Sequence, residues 1–483
     1  MANSFLKREV STGTNQKTWT VSAWIKMTNS ASHTIFSSDV QDDGSNYGSL
    51  SIESDGLLKF INVQGGSLVT NFQSNRKLVD FTSWYHIVLR IDTTQSSAGD
   101  RIRLYVNGIQ ETSWAYSTNS ASQNADTGVF KSGNATLVGT RSSAGGSHVD
   151  GNMAHMHIIS GQSHPPSVFG ETDSTTGEWK PKLTPTGITY DSENSAFLKF
   201  ENPSALGTDS SGQSNTFTVN GNLKQSLSTP SNMFNTLNRN ESYQTAVTAA
   251  IKYAGTGWED ASTGADGPKG SVGILAMTKG KWYYEFKYAS PAMYSQFGIS
   301  KAGSKASGQM INSNYKDPFY GGNNGDGFGF QVGSTATLIG RGDATQKQWL
   351  TDASNSNSNI TVASNGQICM CAFDLDAGKI WWGINGTWNT VPDSTTTTSS
   401  SQIASGSNAH FTWTPDGEFY RSGHSEYNRF GNAAAQKLNF GEGRFGTDAV
   451  ASGNADSAGV GVFEFAPPSG FLAICTKNIK NTG

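Results

Sequence analysis

The chain is short of charge, of cysteine and of helical periodicity, and each shortage narrows what it can be. Charged residues make up 15% of 483, against about a quarter in ordinary globular chains. A net charge of −4 with no basic stripe leaves no electrostatic footprint for nucleic acid. The sequence has no run of the roughly 18 apolar residues that a membrane-spanning helix needs, so no membrane insertion is expected. The opening MANSFLKREV lacks the apolar stretch of a secretion signal, and assembly in a reducing cytoplasm is expected. Three cysteines give no disulfide framework. Cys369 and Cys371 stand two apart on one strand face, which is poor disulfide geometry, so all three are expected as buried thiols. No window sustains a 3.6-residue apolar period with caps, and no heptad or shaft-like repeat occurs.

What is present points to strands. Glycine, at 55 residues, is about one and a half times its usual share of roughly 7%, and Ser, Thr and Asn are dense throughout. The segment GKWYYEF alternates: Trp282, Tyr284, Phe286 and Tyr288 fall on one face, with Tyr283, Glu285 and Lys287 on the other, as in a strand with one buried face. ICMCAFDLDAGKIWWGINGTW reads as a hairpin. Cys369, Cys371, Phe373 and Leu375 share a face, the turn lies at residues 376–379, and Asn385-Gly386 makes a second tight turn. Near the start, KTWTVSAWIKM sets Trp19, Val21, Ala23 and Ile25 against Trp24. Residues 49–61 form a hairpin turning at Asp55-Gly56, and WYHIVLRID pairs with RIRLYVNG.

The order GKWYYE, QFGIS, DGFGF, DLDAGKIWWGINGT resembles a SPRY domain, a curved antiparallel β-sandwich that binds through loops and carries no catalytic machinery. TWTVSAWIK, WYHIVLRID and RIRLYVNG resemble laminin-G-like or concanavalin-type jelly rolls over about residues 15–200, a fold that binds glycans or proteins and includes some glucanases. The phrases FGETDSTTGEWKPK, LGTDSSG, FTVNGNL, STPSNMFNTLN and the closing NFGEGRF, FAPPSGFLAICTKN look like structural proteins of tailed phages, marine ones in particular. Residues 446–461 depart from that pattern as a loop insertion. The expected fold is all-β, with two antiparallel β-sandwiches: a jelly roll over 1–202, a connecting segment over 203–240, and a SPRY-like sandwich with a C-terminal extension over 241–483.

Catalysis is not expected. Glucanases of the concanavalin type set their carboxylates in an E-x-D-x-x-E strand so that nucleophile and acid/base face one sugar, about 5 Å apart in retaining enzymes. No such triplet occurs; Glu171-Thr172-Asp173 is the nearest, and no G-x-S-x-G elbow is present. His155 and His157 are read as partly exposed strand residues and not as a metal grip. Asp39, Asp42 and Asp43 lie where laminin-G-like domains sometimes hold calcium, although Asp and Gly also simply make turns. No other cofactor is expected. Arg341-Gly342-Asp343 is read as a chance match in a Gly-rich chain. Tyr315, Phe319, Tyr320 and Trp349 are the candidate ligand-binding rings, able to stack on a sugar or anchor a protein unless they fold inward to cap the sandwich. The resemblance implies a non-enzymatic protein of the virion surface, fiber-like or receptor-binding, holding host-surface glycan or protein; the alternative is a head decoration bound to other virion subunits. A homo-oligomer, a trimer in first place, is expected, held by sandwich surfaces.

Overall fold

In the computed structural model, the described residues are 4–39, 44–119, 121–142, 146–243, 249–260, 269–289, 294–302, 327–332, 337–339, 349–351, 363–390, 397–427 and 434–482. They form two units, one of residues 1–225 and 229–231 and the other of 226–228 and 232–483. The architecture is all-β, with 46% of residues in strands and 6% in helices. The stretch 203–240 is shared between the units. Its strand Thr218–Asn220 pairs with Phe5–Glu9 in the first, and Leu237–Tyr243 opens a sheet of the second.

The first unit is a sandwich of two sheets. One has eight strands, running from the edge strand Trp114–Asn119 through Ser67–Lys77 to Thr218–Asn220; the other has six, with Thr18–Met27 and Tyr85–Asp92 near its middle. Trp19, Val21, Ala23 and Ile25 face the partner sheet in a core with Phe36, Phe60, Ile87 and Leu89, as period-two alternation requires. Asn107 and Gly108 (φ 49° and 80°) and Asn385 and Gly386 (φ 47° and 80°) take the left-handed conformations that tight hairpin turns demand. One strand breaks the alternation. A β-bulge lies between Ala154 and His157, with His155 at φ 45°. This re-phases the chain so that Met153, Met156 and Ile158 all face inward.

The second unit stacks a seven-stranded sheet on a nine-stranded one. Trp282, Tyr284 and Phe286 are buried with Phe373 and Leu375 in the core between them, and Trp282 lies directly across from Phe373. Phe286 stacks on Phe297 of the opposite sheet, centroids 5.0 Å apart. Cys369, Cys371 and Cys475 are all buried free thiols.

The reading of Lys281–Lys287 as a strand with a single buried face is corrected by the structure. Tyr283 and Glu285 are fully buried too, because a second apolar layer covers the outer face of the nine-stranded sheet. There Tyr283, Met370, Ala372, Trp381 and Trp388 pack against Phe234, Phe463, Phe471 and Ala473. The C-terminal extension is therefore a roof. Two carboxylates hold it. Glu285 Oε1 accepts from Phe465 N–H (2.8 Å) and the Tyr283 hydroxyl (3.1 Å), and Oε2 accepts from Glu464 N–H (3.0 Å) and Asn439 Nδ2 (3.2 Å). Asp456, inside the segment read as a loop insertion, is 5% exposed. It accepts from Val460 N–H, Gly461 N–H, Ala473 N–H and Asn478 Nδ2. Burial pushes the Glu285 carboxyl up to about 7 against the pull of its four donors.

Two outcomes are expected. Trp282→Ala lowers the stability of the second unit by roughly 3–5 kcal/mol, the range for aromatic truncation in a core; an unchanged melting temperature would place the ring outside the core. Glu285→Ala strands several buried donors, each worth about 1–3 kcal/mol. It should lower the same transition and open residues 456–475 to limited proteolysis, and a protease pattern identical to the parent would show that Glu285 does not hold the roof.

Candidate functional site

The residues singled out from sequence are placed unevenly. Tyr315, Phe319, Tyr320 and Arg341-Gly342-Asp343 lie outside the described residues, as do Asp42 and Asp43. Asp39 ends the strand His33–Asp39, its backbone opposite Ala135; its side chain is outside the description. Trp349 begins the edge strand Trp349–Thr351 of the seven-stranded sheet, paired with Ile339, its side chain likewise undescribed. Glu171 and Asp173 sit on a short hairpin. Asp173 accepts from Lys180 Nζ at 3.0 Å and from two backbone N–H groups, and these hold its carboxyl well below the usual range. Glu171 lies 3.8 Å from the same lysine, so this pair serves a turn. No cluster of three metal-ligating side chains occurs among the described residues.

The histidine reading holds for His155, which is partly exposed on its strand, and needs correction for His157. His157 is 2% exposed, because residues 165–190 cover the outer face of the six-stranded sheet. Its ring stacks on Phe197 at 3.9 Å and its Nδ1 hydrogen-bonds the Tyr190 hydroxyl at 2.7 Å. His86 is buried on the same face, stacked on Trp24 at 4.7 Å. Trp179 Nε1–H donates to His86 Nδ1 (3.0 Å). Indole is a donor only, so Nδ1 carries no proton and Nε2–H donates to Ser22 Oγ (2.9 Å). Trp179 lies flat on glycine: a Cβ at Gly170 would come within 2.5 Å of its ring. Burial holds His86 down to about 3 and His157 well below the ordinary imidazole value. These are neutral structural groups that glue a cover segment to a sheet.

A different feature has the form of a binding site. At the open edge of the first sandwich, a groove of about 370 Å³ runs between the two sheets. One wall is Phe72 with Trp114 and Ser117 from the edge strand; the other is Ile102 with Gln110 and Glu111. Phe72 lies directly opposite Ser117, and a bulge between Trp114 and Tyr116 brings Trp114 to the groove side, its ring 4.9 Å from Phe72. Glu111 is 4% exposed. Arg76 Nε comes within 2.9 Å of its Oε1, yet Oε1 accepts no hydrogen bond, since the Arg76 N–H is turned off its axis. Burial pushes the Glu111 carboxyl up, with Arg76 pulling the other way. Sequence reasoning passed over Glu111, Trp114 and Arg76. Only the QETSW stretch, two polar residues next to a lone Trp, hinted at them.

A family model described as the concanavalin A-like lectin/glucanases superfamily, laminin G type, matches residues 6–168. The first unit therefore carries a laminin G-like jelly roll. No curated protein matches the chain. Among solved structures, the SPRY domain of human HERC1 is similar at 13% identity, covering 42% of this chain and 96% of that one, with a TM-score of 0.27. Domains LG4-5 of the mouse laminin alpha1 chain are similar at 10% identity, over 90% of this chain and 86% of theirs, with a TM-score of 0.27. A heptameric SAP-like pentraxin from Limulus polyphemus is similar at 18% identity, over 34% and 72%, with a TM-score of 0.26.

The buried imidazoles set an acid limit. Below about 6.5 the unfolded chain takes up protons that the folded unit refuses, so each such histidine removes about 1.4 kcal/mol of stability per pH unit. Calorimetry should show the first unit weakening steadily from pH 6.5 to pH 5.5, above the range where ordinary carboxylates titrate, with a shallower slope for His157→Phe. Equal slopes in the two proteins would remove His157 from the account.

Proposed function

We propose that this chain is a non-enzymatic component of a tailed-phage virion surface that binds glycan or protein through the margins of its β-sandwiches. The observation that carries the binding reading is the edge groove with its buried, incompletely bonded Glu111 beside Trp114. The placement on a phage particle rests on the sequence phrases at 168–182, 196–238, 436–445 and 463–479. The non-enzymatic reading is supported by the Glu171/Asp173 pair being engaged with Lys180 in an exposed turn. Calcium remains tied in this reading to Asp39, Asp42 and Asp43 alone.

Within this reading a fiber-like or receptor-binding protein stands first. A head decoration is favoured by one feature, the lack of any heptad or shaft repeat from which a long trimeric fiber is built. Both versions involve other virion proteins as partners. Self-association, as a trimer in first place, is supported by the sheet edge at Thr218–Asn220, open among the described residues, since unpaired edges are managed by covering them.

Cryo-EM of the particle tests the placement. Density at the tail supports the receptor-binding version and density on capsomers the decoration; absence from the particle overturns both. Sedimentation at micromolar concentration tests the assembly, and a clean 51.4 kDa monomer would defeat the trimer.

A further inference from the structure

We infer that the edge groove of the first unit is a saccharide site that receives one ring of a neutral glycan, stacked on Trp114 with a hydroxyl donated to Glu111. The inference deepens the binding reading above and rests on its glycan version, but it assigns the contact to the jelly-roll edge and away from the rings at 315–349.

Four observations converge. The groove's volume of about 370 Å³ falls at the lower end of the roughly 300–1,000 Å³ typical of small-molecule sites. It is open along the edge of the sandwich, so a ring can enter while the rest of a glycan chain continues outside. Its lining joins an indole to carboxylate, amide and hydroxyl groups: Trp114 beside Phe72, then Glu111, Gln110 and Ser117. A pyranose has that same duality, with an apolar C–H face that packs on an aromatic ring and a girdle of hydroxyls that donate and accept. Finally, Glu111 Oε1 is buried without a hydrogen bond. A desolvated acceptor left in that state is expensive, and a charge-assisted bond from a ligand hydroxyl is among the stronger ways to satisfy it.

The charge of the groove selects within the class. Glu111 is paired with Arg76 at 2.9 Å, so the two cancel and the wall offers no net charge to an acidic or basic ligand. Two buried carboxylates of the second unit contrast with this one. Glu285 and Asp456 each accept from four donors of their own chain and have no capacity to spare.

The test is saturation-transfer NMR on the full chain with glucose, galactose, mannose and N-acetylglucosamine as separate probes, and with glucuronate and a tetra-arginine peptide for comparison. At least one neutral sugar should give a signal. Trp114→Ala and Glu111→Gln should each weaken its binding by about tenfold, the factor that corresponds to one good contact. Ser117 is exposed on the edge strand, so Ser117→Trp fills the groove without touching the core and should abolish the signal with the melting temperature unchanged. That variant keeps the test decisive if Trp114→Ala does not fold. Silence from all four neutral sugars, or binding of the peptide or glucuronate alone, overturns the assignment. A sugar signal that survives Ser117→Trp overturns the groove while leaving glycan binding in place. Absence of the protein from the virion would defeat the phage reading and leave the groove standing.

Discussion

A β-sheet with large side chains on both faces has to be covered twice, and in each unit one sheet imposes that demand. In the first unit, Thr18–Met27 sends Trp19, Val21, Ala23 and Ile25 into the sandwich core and Trp24 to the other side. In the second, Lys281–Lys287 sends Trp282, Tyr284 and Phe286 inward and Tyr283 with Glu285 outward. A two-layer sandwich leaves one of those faces in water. The remedy in both cases is a length of largely irregular chain laid across the outer face: residues 165–190 in one unit, and the C-terminal extension with Phe234 in the other.

Irregular chain brings backbone polar groups under cover, and these need partners. The partners are polar side chains planted in the covered face of the sheet. Glu285 takes two backbone N–H groups of the extension, and Asp456 folds the extension on itself. His86 and His157 do the same work with neutral rings, binding an indole and a phenol. These four buried polar residues mark where a cover is fastened.

That rule makes the exception informative. With the outer faces of these two sheets covered, their edges and strand-connecting loops are among the surfaces left for partners. The groove at Trp114–Asn119 is an edge, and Glu111 is the buried carboxylate there whose oxygen no chain donor satisfies. Its incomplete bonding sets it apart from Glu285 and Asp456, whose oxygens are taken by donors of the chain.

Much of the fold was legible in the sequence, because alternation and turn chemistry are local. Trp282 opposite Phe373, the Asn-Gly turns and the pairing of 84–92 with 101–108 follow from period two and from the left-handed conformations that Asn and Gly tolerate. A laminin G-like jelly roll and a second antiparallel β-sandwich were readable as strand order. The second buried face of Lys281–Lys287 was not, since Tyr283 and Glu285 look like a solvent face until a segment some 180 residues away arrives. The bulge at His155 was hidden too, because one extra residue changes the facing of a strand without changing its composition. The candidate site was the least legible part. Glu111, Trp114 and Arg76 belong to no motif; they meet because the edges of two sheets, separate in sequence, close on one another. Strand, turn and sandwich class thus came from the sequence by itself, through short-range backbone preference. Which face is covered, which histidine is buried and where a groove opens were decided by tertiary packing, because burial is a property of what lands on a surface and not of the surface alone.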